Sequence, residues 1–158
     1  MDPSGDYLYR GTTLGWAGTR MNQFIPRTST STDPLVATLF ALECRSKGAA
    51  IIFVIPRSRV VDFIRPPNDP GGRILFSEIE CEVALEMKPL ELERYAVHSL
   101  DVDRASEILV KLGFGPMPFQ IAAHSILTNE LETTSEQRLR LNPDQLREFN
   151  RLAFERRP

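Results

Sequence analysis

Ala49-Ala50-Ile51-Ile52-Phe53-Val54-Ile55 is an unbroken apolar run, closed by Pro56. Its length suits a strand covered on both faces, so it predicts a buried strand. Upstream, Asp33-Pro34 opens a helix: Asp33 can cap it and Pro34 suits its first turn. Val36, Leu39 and Phe40 at i, i+3 and i+4 give that helix one buried face, with its end expected near Ser46 and Gly48 just beyond. Before it, Thr28 to Thr32 is a run of alternating hydroxyl residues with strand preference. Tyr7-Leu8-Tyr9-Arg10 reads as a first strand that stops at Gly11, and Gly11 to Pro26 reads as loop, alone or with a short helix. Downstream, Val60 to Ile64 and Tyr95 to Ser99 read as short strands. Ile74 to Met87 alternates as a half-buried strand after the Pro66 to Gly72 turn cluster. Asp103 to Leu112, Phe119 to Leu131 and Asn142 to Glu155 carry helical spacing. Strands with one clear helix, followed by helices, predict an α+β fold in a single domain over residues 1–158, with a core over 7–100 and a helical tail over 101–158.

Composition narrows the function. The chain has 158 residues, 19 basic and 21 acidic, for a net charge of −2. That disfavours a protein coated in basic charge for non-specific nucleic-acid binding. Hydrophobic residues at 42% and charged residues at 25% are ordinary for a globular domain and argue against wholesale disorder. Two cysteines, Cys44 and Cys81, do not make a disulfide scaffold. His98 and His124 have no companion at metal-ligand spacing, so no metal is expected. There is no run long enough to span a membrane, and Met1 to Asp6 is polar, without a signal-peptide pattern. Dinucleotide-binding G-x-G-x-x-G, P-loop and G-x-S-x-G motifs are missing from the sequence.

Three short blocks carry chemistry. In Tyr9-Arg10-Gly11-Thr12, an Arg at a strand end offers a planar fork for phosphate or carboxylate, and the Gly beside it lets a ligand approach the backbone. Ser29-Thr30-Ser31 offers hydroxyls that can brace neighbouring groups. Glu78-Ile79-Glu80-Cys81-Glu82 places carboxylates at every second residue, about 7 Å apart along one sheet face. Their mutual repulsion is on the order of 2 kcal/mol at an effective dielectric of ~20, tolerable on a wet face or useful where positive charge must be stabilised. Each block alone also reads blandly, as a surface Arg, a polar loop and a solvated strand. Together they suit cleavage of the nicotinamide–ribose bond of NAD. Nicotinamide leaves neutral without a general acid, and the oxocarbenium-like transition state needs a carboxylate.

The ordered blocks resemble the Arg–Ser–Glu class of mono-ADP-ribosyltransferases, which contains many bacterial toxins. Arg10 followed by Gly11 is similar to the family's Arg block and Ser29-Thr30-Ser31 to its Ser-Thr-Ser block. Val36-Ala37 and Phe40-Ala41 sit where such domains carry their first helix, and Glu80-Cys81-Glu82-Val83 is similar to the E-x-E block. The resemblance covers about residues 7–100 and implies an ADP-ribosyltransferase-like split β-sandwich with a helical C-terminal extension. It implies NAD as substrate, held by Arg10, Gly11, Ser29, Thr30, Ser31 and Phe40. Glu82 would be the catalytic Glu, steadied by Ser29, and Glu80 the residue that activates the acceptor. Phe76, in the Pro66 to Ser77 loop, would recognise the acceptor. A shift of two would make Glu78 and Glu80 the pair, but Glu82-Val83 followed by apolar residues resembles the family better.

In that family an E-x-E pair usually accompanies arginine acceptors, which favours a protein over RNA or DNA, although six Arg fall between residues 138 and 157. The resemblance further implies a toxin or effector toxin domain acting in the cytoplasm of the producer or of a target cell. Any export would follow a signal-peptide-independent route, and an antitoxin or immunity protein is a partner consistent with that role. An NAD glycohydrolase, with water as acceptor, and a non-catalytic binding module on the same fold are the alternatives.

Overall fold

The computed structural model describes residues 2–14, 28–43, 49–65, 82–114 and 141–155, apart from the side chains of Thr13, Leu14, Glu43 and Glu82. In chain order the elements are β1 (Tyr7–Leu14), β2 (Thr28–Ser31), α1 (Pro34–Glu43), β3 (Ala49–Pro56), the single turn α2 (Arg57–Val60), β4 (Glu82–Leu85), the single turn α3 (Pro89–Leu92), β5 (His98–Asp101), α4 (Val102–Lys111) and α5 (Pro143–Phe154). Short 3-10 turns, Val61–Phe63 and Glu93–Tyr95, continue α2 and α3. The five strands form one sheet in the order β4-β2-β1-β3-β5, every pairing antiparallel. The fold is therefore α+β, as the order of the sequence patterns predicts.

Strand β1 does not stop at Gly11. It runs to Leu14, paired along its whole length with β3, from Tyr7 opposite Pro56 to Leu14 opposite Ala49. A glycine weakens a strand locally, but eight residues of ladder outweigh one weak position. The expected strand over Val60 to Ile64 is instead the α2 and 3-10 turn. Val60, Phe63 and Ile64 stand at i, i+3 and i+4, which places all three against one apolar cluster when the chain turns helically. The expected strand over Tyr95 to Ser99 begins only at His98, because Glu93–Tyr95 completes a turn that lays Tyr95 beside Phe63, ring centroids 6.1 Å apart. Of the strand expected over Ile74 to Met87, residues 82–85 are in β4; Glu86 and Met87 bend away, and residues 66–81 lie outside the described residues, as do Cys44 to Gly48 and the helix expected over Phe119 to Leu131.

Alternation along β1 and β3 divides the interior in two. Tyr9, Ile52 and Val54 face one side, where they meet α1, α4 and α5. Leu8 and Ile55 face the other, where they meet Val60, Leu85, Met87 and Leu92. Consecutive strand residues point to opposite faces, so two buried faces require the unbroken apolar run that β3 shows. Helix α1 is buried beyond the single face expected: Leu35, Val36, Ala37, Leu39 and Ala41 are all buried. The reason is its position between β1 and α4, with apolar partners on both sides.

Each long helix begins at a readable cap. Asp33 Oδ1 accepts from the Leu35 N–H at 2.9 Å, and Asp101 Oδ1 accepts from the Arg104 N–H at 2.8 Å. Asn142 and Gln145 form a reciprocal capping box with Pro143 in the first turn of α5. Helix α4 ends in a Schellman turn, with Gly113 at φ 101° and the Phe114 N–H bonded to the Leu109 carbonyl at 3.0 Å.

Helix α5 closes the first core. Phe149 is fully buried and meets Tyr9 edge-on at 6.1 Å. The Tyr9 hydroxyl donates to Asn150 Oδ1, and Asn150 Nδ2 donates to the Pro3 carbonyl at 3.1 Å. Phe154 lies between Tyr7, at 5.3 Å, and His98, at 5.5 Å. Burial pushes the His98 pKa below its ordinary 6.5, partly opposed by the Ala153 carbonyl. The unfolded chain therefore takes up this proton more readily than the folded one. The stability contributed by neutral His98 is full above about pH 6.5 and is lost as pH falls through the lower folded value. Urea titrations at several pH values should show wild-type stability falling more steeply than that of His98→Gln between pH 7 and 5. Parallel curves would exclude this linkage.

Candidate active site

The sheet order joins the three chemical blocks. Arg10 is on β1, Ser29 to Ser31 form most of β2, and Glu82 opens β4, so the blocks occupy three adjacent strands spanning roughly 10 Å. Tyr9 pairs with Ser31, and Ser31 pairs with Glu82, which sets these three residues in one cross-strand row. Ser29 pairs with Ala84, one pleat further along. The Glu82 side chain, and Phe76, Glu78 and Glu80 altogether, lie outside the described residues.

Hydroxyl residues of β2 knit this side of the sheet. Thr30 Oγ1 donates to the Val83 carbonyl at 2.7 Å, and Thr28 Oγ1 donates to the Met87 carbonyl at 2.8 Å. Ser31 Oγ accepts from the Asp33 N–H at 3.0 Å, which turns the chain from β2 into α1. Thr28, Thr30 and Ser31 are buried, whereas Ser29 is exposed. Arg10 crosses to the neighbouring strand, where Nη1 donates to the Ser29 carbonyl at 2.9 Å. Its charge also reaches Glu93: burial pushes the Glu93 carboxyl up, and the Arg10 guanidinium opposes that shift.

A cleft of about 110 Å³ opens where β1, β2 and α1 meet. All six residues expected to hold NAD line it: Arg10, Gly11, Ser29, Thr30, Ser31 and Phe40. Tyr9 and Ala37 line it as well, and sequence reasoning assigned neither. The space is smaller than the roughly 300–1,000 Å³ of pockets that enclose a whole small molecule. Residues 15–27 and 66–81, which follow β1 and precede β4, are outside the described residues.

Ala37 reveals what Gly11 does in the fold. A Cβ on Gly11 would stand 1.8 Å from the Ala37 carbonyl oxygen and 3.0 Å from the Ala41 nitrogen. The backbone of α1 therefore seats directly on β1 at this glycine, and the same close approach brings Phe40 to the cleft. The glycine in the strand pattern was the available signal for such a contact. Among the described residues no group of three or more His, Cys, Asp or Glu is placed to hold a metal ion, and no helix is long and apolar enough to cross a membrane.

Comparison with protein-family models, curated proteins and solved structures found no match for this chain.

Gly11→Ala tests the contact between α1 and β1. A backbone carbonyl cannot rotate out of the way as a flexible side chain would, so the substitution should cost about 3 kcal/mol, the upper end of ordinary overpacking. A urea midpoint equal to that of the wild type would show that α1 does not sit this close.

Proposed function

We propose that this chain is an NAD-dependent mono-ADP-ribosyltransferase of the Arg–Ser–Glu class, on an ADP-ribosyltransferase-like split β-sandwich, acting as a toxin or effector toxin domain. The observation that carries the reading is the strand order β4-β2-β1. It sets Glu82, the Ser-Thr-Ser block and Arg10 side by side, although they are far apart in the chain. Six of the residues assigned to NAD also share one cleft.

The chemistry follows from these groups. The Arg10 fork would hold the anionic part of NAD through charge-assisted hydrogen bonds. The nicotinamide–ribose C–N bond breaks, and its electron pair leaves with neutral nicotinamide. The carboxylate of Glu82 would stabilise the positive charge that develops on the ribose, and Ser29 would hold that carboxylate in place. A nitrogen of the acceptor arginine then bonds to the ribose carbon, and Glu80 would take the proton that the nitrogen gives up. Protein arginine is the favoured acceptor.

Tagged NAD incubated with a bacterial lysate tests this directly. The wild-type chain should label a protease-sensitive acceptor, and Glu82→Gln should lower labelling by roughly 10²- to 10³-fold, the usual cost of removing a charge-stabilising group. Nuclease-sensitive label would reassign the acceptor to RNA or DNA. Free nicotinamide without label would make the chain an NAD glycohydrolase. Neither label nor nicotinamide would overturn the enzymatic reading. Arg10→Ala should raise the KM for NAD roughly 10- to 100-fold, the worth of a hydrogen bond to a charged group, and unchanged NAD affinity would remove Arg10 from the anion site.

A further inference from the structure

Asp33 is a buried carboxylate, 6% accessible, that the proposed chemistry does not use. Its Oδ1 caps α1 through the Leu35 N–H, and its Oδ2 accepts from the Leu141 N–H at 3.2 Å, across 108 positions of sequence. Its own N–H donates to Ser31 Oγ. A helix cap needs only one oxygen, and Ser or Asn caps about as well as Asp. Burying a charge is costly unless its partners compensate. The second oxygen thus does what a neutral cap could not: it joins the entry to α5 to the turn between β2 and α1.

That turn governs the cleft. Ser31 is on its β2 side, and Ala37 and Phe40 are on the helix that it starts; all three line the cleft. A second link runs from α5 to the same wall, because Tyr9 also lines the cleft and its hydroxyl donates to Asn150. Asn150 and Leu141 line none of it. Among the described residues, hydrogen bonds from the segment that begins at Leu141 reach the cleft wall through Asp33 and Tyr9.

We propose that Asp33 is a positioning residue that ties the C-terminal helix to the wall of the cleft and so sets the cleft's affinity for NAD. The NAD part of this inference rests on the function proposed above. Asp33 would act on binding, since its bonds with Leu35, Ser31 and Leu141 bear on the wall of the cleft.

The test compares the wild type with Asp33→Asn and Asp33→Ser in the full chain. Each variant retains one oxygen for the α1 cap and loses the acceptor for the Leu141 N–H. Thermal unfolding selects a temperature at which all three are folded. There, amide exchange should show lost protection at Leu141, retained protection at Leu35 and faster exchange over Ser29–Ser31 and Ala37–Phe40. KM for NAD should rise at least fivefold, with kcat within twofold of the wild type. A merely structural role would lower activity in proportion to the folded fraction and leave KM unchanged. Unchanged KM, or unchanged exchange around the cleft in a folded variant, overturns the proposal. If the wild type neither binds nor consumes NAD, the function proposed above fails. Asp33 is then judged by exchange alone: faster exchange at the cleft keeps its positioning role, and unaltered exchange removes it.

Discussion

The antiparallel ladder between β1 and β3 supports every other element of the structure. Eight residues on each strand are paired, so the backbone polar groups of the most buried segment have partners without water. Once that ladder forms, alternation sends Leu8 and Ile55 to one side and Tyr9, Ile52 and Val54 to the other. Each set then needs its own cover. The turns after β3 and β4 cover one side, and the three long helices cover the other. β2 and β5 add to the two outer edges of the paired core, and β4 adds to β2.

Several of the polar groups in this interior join elements. Tyr9 carries its hydroxyl into the first core and meets Asn150, whose amide reaches on to Pro3. No buried side-chain polar atom among the described residues lacks a hydrogen-bond partner. An unpaired buried polar group costs about 1–3 kcal/mol, so such joints hold α5 in one place more selectively than apolar contact would. The helices beyond residue 101 consequently share a core with the first strand: Ile108, Leu109 and Phe149 pack with Tyr9 and Ile52.

The candidate site draws its geometry from the same sheet. Neighbouring strands are about 4.8 Å apart, so three adjacent strands bring their residues close whatever the length of chain between them. Groups carried on paired strands are also held more tightly than groups on loops. Arg10 illustrates the gain: bonded to the Ser29 carbonyl, it is fixed to the strand that bears the hydroxyl block. Gly11 shows the constraint that comes with it, because the helix bearing Phe40 reaches the cleft only where β1 has no side chain.

Helix starts at Asp33 and Asn142, the apolar run of β3 and the hydroxyl strand β2 follow from local chemistry, because caps, alternation and side-chain branching act within a few residues. The three candidate blocks stand out for the same reason, as residue types at short spacing. The extension of β1 past Gly11, the helical turn at Val60 and the two-sided burial of α1 were not, since each depends on a partner distant in the chain. Register is likewise a property of pairs: nothing within Ser29-Thr30-Ser31 specifies that Ser31 faces Glu82 or that Tyr9 faces Ser31. The sequence by itself determined which elements could form and which side chains could do chemistry. Only the tertiary structure decided which of them meet, because hydrogen-bond pairing and close packing are satisfied between segments and not within them.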